Sequence, residues 1–175
     1  MSGLQIDGIQ FYPREIRDIA VAWAALGLAF SVFIFVATGR SVFPNIAEAL
    51  FSALFARVFV VSVLTVGVGF LLHELAHKIV AVRFGQIASF KANYGMLALC
   101  IGAAFAGFLF AAPGAVYHRG RITVRQRGLV SIAVPMTNIV LVGAFLPLVA
   151  FAGIIGQIGQ LGVLINGFLA AFNMV

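Results

Sequence analysis

Charge is what this chain has least of. Only 9% of its 175 residues are Asp, Glu, Lys or Arg, five of them acidic, and none occurs from Gly128 to Val175. A soluble domain of this length needs far more charge to cover its surface. Cysteine is almost missing too. Cys100 stands alone, which excludes a disulfide within the chain and leaves the redox compartment open. The strict polar–apolar alternation of a membrane barrel is absent, as is any internal repeat. No nucleic-acid-binding module is recognisable, so the net charge of +6 is not read as a nucleic-acid footprint. Four of the eleven basic residues (Arg119, Arg121, Arg125 and Arg127) share one short loop between apolar segments. Membrane proteins gather Lys and Arg in such loops, where they fix orientation and meet anionic headgroups.

What remains is apolar and comes in blocks. Hydrophobic residues make up 63% of the chain and the mean hydropathy is +1.14. The fold class expected is an all-α membrane protein, a polytopic bundle of transmembrane helices forming one domain over residues 1–175. Ile19 to Thr38 is long enough to cross the bilayer once, and too long for a signal-peptide core. Gly39-Arg40-Ser41 and Pro44-Asn45 predict a turn, with Pro44 opening the next helix. Asn45 to Arg57 reads as an interfacial lead-in or as the outer end of a long tilted helix. Val58 to Val82 is the second span, and Phe84 to Lys91 a polar connection.

Ala92 to Tyr117 is apolar but poorly made for crossing. It carries Gly95, Gly102 and Gly107, then Ala112-Pro113-Gly114-Ala115, where Pro113 breaks a helical ladder. A re-entrant form is expected: a short helix entering and an extended segment returning. Ile122-Thr123-Val124 and Leu129-Val130 have strand-like composition and predict a small β-hairpin around the Arg-rich loop. Leu129 to Ala152, containing Pro135 and Pro147, is another span. Ile158 to Val175 begins a further one without a polar end, so the natural chain is expected to continue. With 92–117 re-entrant, eight basic residues lie on the amino-terminal side and Arg40 and Arg57 opposite. The positive-inside rule then puts the amino terminus of this multi-pass protein in the cytoplasm.

The second span holds the chemistry. It reads Phe70-Leu71-Leu72-His73-Glu74-Leu75-Ala76-His77-Lys78. Histidines at i and i+4 lie on one helix face, a turn apart, where both imidazoles reach a single metal ion. The Glu after the first sits beside that ion without ligating it, as a general base requires. The bland alternative is two histidines packed between helices, with Glu74 paired to Lys78 or Lys78 snorkelling to the headgroups. Ionisable groups inside spans are costly, which favours function over packing.

His73-Glu74-Leu75-Ala76-His77, with Pro135-Met136-Thr137-Asn138 in a later span and a final Phe172-Asn173-Met174-Val175, resembles the site-2 protease family in its archaeal and bacterial branch. The resemblance runs from about Ile16 to Val175. It implies a zinc endopeptidase cutting a membrane-protein substrate within the bilayer, with Zn2+ as cofactor. His73 and His77 would be ligands, Glu74 the catalytic base, and Asn138 a hydrogen-bond donor to substrate or oxyanion. The re-entrant segment and hairpin would offer the unwound substrate a strand edge. The family carries Gly before the Pro of the Asn motif where this chain has Val134. Its third zinc ligand is an Asp beyond the position of Asn173, so this chain is expected to supply only two ligands. His118 reads as a solvated loop histidine. The rival reading is a non-catalytic relative that binds membrane helices or scaffolds a complex. Metal transport ranks lower, since no second polar site lines a path.

Overall fold

The computed structural model describes residues 3–40, 45–109 and 112–174. Four helices in it are long and apolar enough to cross a membrane, and two small antiparallel sheets accompany them. The expected bundle is therefore what forms. Ser41, Pro44 and Val175, named above for a turn, a helix start and the final motif, lie outside the described residues.

Strands β1 (Leu4–Ile6) and β2 (Ile9–Phe11) make a hairpin turned by Asp7-Gly8, both at positive φ. Asp-Gly is the dipeptide that such a two-residue turn favours. Helix α1 (Pro13–Ala37) starts with Pro13 in its first turn, and the Glu15 carboxylate accepts the Tyr12 backbone N–H at 3.3 Å. It therefore begins earlier than Ile19, because Glu15 and Asp18 are buried and partnered rather than left in a solvated tail. Helix α2 (Ile46–Leu50) is brief. Ser52 then caps α3 (Ala53–Ser62), accepting the Phe55 N–H at 3.1 Å, so the chain breaks before the long span proper.

Helix α3 runs through a π-helical turn, Val63–Gly67, into α4 (Val68–Arg83), giving 31 continuous residues from Ala53 to Arg83. Wide turns pull carbonyls out of the ordinary ladder, and the Trp23 indole of α1 donates to the Val63 carbonyl at 3.1 Å. Gly85, at φ +79°, closes the end of α4.

The stretch expected as a polar connection is instead strand β3 (Ile87–Ala92). It is followed by α5 (Tyr94–Phe105), capped by Asn93, and by β4 (Gly114–Arg119). The two strands pair antiparallel from Ile87↔Arg119 to Ala92↔Gly114. Segment 92–117 therefore returns to where it left, and its 12-residue helix is only about 18 Å long, too short to cross. The re-entrant expectation is met. Helix α5 packs on α1, with Leu97, Cys100 and Ala104 joining Ala22, Leu26, Ala29 and Val32 in one core.

The hairpin is not where composition put it. Thr123 is a helix cap: its hydroxyl accepts the Gln126 N–H at 3.2 Å while the Gln126 side chain accepts the Thr123 N–H at 2.9 Å. This capping box outweighs the β-branched run. Helix α6 (Val124–Phe145) therefore takes in Arg125, Arg127 and Leu129-Val130. A 3-10 turn at Leu146–Ala150, opened by Pro147, leads to α7 (Gly153–Phe172). Helix α7 lies close against the end of α6, where a Cβ on Gly162 would strike the Phe145 ring.

A candidate metal centre in the second span

Helix α4 carries two stripes of inward residues. Phe70, Glu74 and Lys78, one turn apart each, face the sheet and α1. Gly69, His73 and His77 run beside them; Gly69 meets Asn166 of α7 and His73 meets Asn138 of α6.

The first stripe is organised by β3. Phe70 packs edge-on against Phe90 of that strand, with ring centroids 5.7 Å apart. Lys78 is 1% exposed; its ammonium donates to both Glu15 carboxylate oxygens at 2.6 Å and to the Gln10 carbonyl at 2.7 Å. It also sits 4.0 Å from the centre of the Phe11 ring. So Lys78 neither pairs with Glu74 nor snorkels, as sequence reasoning allowed. A partner from 63 residues away takes it, since an ammonium this deep needs a carboxylate and fixed acceptors. Glu15 also accepts the Phe90 N–H at 3.0 Å. Asp18, a turn further along α1, accepts the Ala92 N–H at 3.2 Å and the Tyr94 hydroxyl at 2.6 Å. Two acids that sequence reading left unassigned thus hold β3 and the start of α5 onto α1. The only signal for them was their i, i+3 spacing at the mouth of an apolar run.

These contacts orient the strands. The N–H groups of Phe90 and Ala92 point away from β4 toward α1, so both positions are non-hydrogen-bonded pairs in the ladder. Their partners Val116 and Gly114 then direct backbone polar groups to the outer edge of β4. The Glu74 carboxylate meets the Val116 backbone amide there. The outer edge of β4 and the histidine helix accordingly lie side by side.

The histidines and the neighbouring Glu74 lie where buried atoms are short of partners. The His73 and His77 rings stand edge to face with centroids 5.5 Å apart. An ion about 2.0–2.1 Å from one nitrogen of each ring, with tetrahedral spread, would place the centroids roughly 5 Å apart. The two imidazoles fit a shared ion. Glu74 is buried, and its Oε2 has no hydrogen-bond partner. Asn138 of α6 is fully buried; its Nδ2 lies 3.2 Å from His73 Nδ1, while its Oδ1 has no partner. Asn166 of α7, which sequence reading did not single out, packs on Gly69 one turn before His73. Its Nδ2 donates to the Gly162 carbonyl at 2.8 Å and its Oδ1 too is unpartnered. A side chain on Gly69 would collide with that oxygen.

A protein of Methanocaldococcus jannaschii bearing the name "Putative zinc metalloprotease" is 35% identical to this chain over 171 residues. The match covers 95% of this chain and 80% of the relative. The chain belongs to that zinc metalloprotease family. No family model matches it, and no solved structure does. The structure stacks the His73 ring against that of His77 and sets Asn138 of α6 against His73; Glu74 lies on the adjoining stripe of the same helix. Asn173, at the end of α7, is exposed and bonded to its own helix at the Leu169 carbonyl. His118 is exposed on β4. Among the described residues, no three His, Cys, Asp or Glu gather into a metal-holding group.

Proposed function

We propose that this protein is an intramembrane zinc metalloendopeptidase of the site-2 protease type, hydrolysing a peptide bond in or near a transmembrane segment of another membrane protein. The observation that carries the reading is the buried, unpartnered carboxylate oxygen of Glu74, the residue that follows His73 on an apolar 31-residue span. A carboxylate at such depth without a cation is unstable as mere packing and is what a general base needs before its water arrives.

His73 and His77 would hold the zinc, which would supply Lewis acidity to polarise the scissile carbonyl. Glu74 takes the proton of the attacking water and returns it to the leaving amine. The outer edge of β4 receives the substrate as an added strand, which keeps its peptide bonds out of a helical ladder and within reach of Glu74. Residues Arg14, Arg17, Arg83, Lys91 and Arg119 lie at the α1-entry end of the bundle, and that end faces the cytoplasm. Zinc content and cleavage of a membrane-inserted substrate, measured on the same Glu74→Gln preparation, test the reading. Retained zinc with turnover lowered about 10²-fold or more is expected; undiminished cleavage would overturn it.

A further inference from the structure

Asn138 touches the histidine helix in a way that the role of substrate or oxyanion donor does not explain. Its amide is fully buried, 3.2 Å from the Nδ1 atom of His73, and its own oxygen has no partner. A neutral imidazole offers one lone pair. If Nδ1 accepts from the Asn138 NH2, then Nε2 must carry the ring proton and cannot ligate. The amide's oxygen and nitrogen are nearly the same size, and the hydrogen-bond network decides which faces the ring. Turned by half a revolution, the orphaned Oδ1 accepts a proton on Nδ1 and Nε2 becomes free. That orientation gives the buried oxygen a donor, turns the amide NH2 toward the position that has no partner, and leaves Nε2 of His73 free to ligate.

We propose that Asn138 is a positioning residue that fixes His73 in the Nδ1-protonated tautomer, so that Nε2 is presented to zinc. The inference rests on the zinc-site reading above, and it assigns the α6 amide to the ligand rather than to the substrate. Ligating histidines commonly donate their other ring N–H to a fixed acceptor, and loss of that acceptor weakens metal affinity about 10–100-fold.

The test uses the full-length protein in detergent micelles, with zinc affinity measured against a competing chelator and the His73 tautomer read by 15N NMR on the metal-free protein. In the wild type, Nδ1 carries the proton. Asn138→Leu keeps the volume but removes the acceptor; zinc dissociation rises about 10–100-fold and the tautomer preference is lost. Asn138→Asp restores an acceptor and recovers both, which a merely structural role would not do. A Leu variant that binds zinc as tightly as the wild type, or an Asp variant no better than the Leu variant, overturns the proposal. Should Asn138→Leu fail to fold, the wild-type tautomer and the Asp variant decide alone. A wild type that binds no zinc would instead sink the zinc-site reading itself.

Discussion

Helix α4 buries two polar clusters a single turn apart, and they differ in one respect. Around Lys78 every charged atom is matched: the ammonium by Glu15 and the Gln10 carbonyl, the Glu15 carboxylate by Lys78, Phe90 and Tyr12. Around His73, Glu74 and His77 the atoms are left over, with Glu74 Oε2 and Asn138 Oδ1 unpartnered. A saturated buried cluster fixes a fold, whereas an unsaturated one carries a standing penalty that a ligand can relieve. The Lys78 cluster clamps the amino-terminal hairpin, α1 and β3 to the end of the histidine helix. The other cluster is open for chemistry.

That contrast is most sharply broken by single truncations. Glu15→Ala strands the Lys78 ammonium and should lower stability by about 3–5 kcal/mol, seen as a fall in the unfolding midpoint in detergent micelles. Replacing both partners together, Glu15→Leu with Lys78→Met, should cost less than either single change, because no buried charge is then left alone. Tyr94→Phe removes one neutral, exposed donor to the Asp18 carboxylate and should lower the unfolding midpoint by much less than Glu15→Ala. Glu74→Leu should be neutral or stabilising in the same assay, since it deletes a group with an unsatisfied oxygen. A Glu74→Leu loss as large as that of Glu15→Ala would erase the distinction between the clusters.

Much of this was legible in the sequence. Hydropathy blocks marked the spans, and the re-entrant course of 92–117 followed from Pro113-Gly114 and the placement of basic residues. Histidines four apart needed only helical geometry to meet. What stayed hidden was long-range. Nothing local says that Lys78 finds Glu15, or that Asp18 receives Ala92 and Tyr94, because those partners are brought together by packing across the bundle. The misplaced hairpin has a different cause. Ile122-Thr123-Val124 looks like a strand by composition, but the Thr123–Gln126 capping box decides for a helix. Ile87 to Ala92 alternates exposed and buried positions at Ile87, Ala88 and Phe90, a short signal masked by the polar residues around it.

Zinc retained by the full-length protein after exhaustive dialysis tests the central claim most directly. The comparison is between wild type, Glu74→Gln and the His73→Ala, His77→Ala double variant, each checked for a folded helical spectrum. The account predicts a single zinc held by wild type and by Glu74→Gln, and none by the double variant. Zinc bound equally by the folded double variant would contradict it, since the open cluster on α4 would then not be the metal centre.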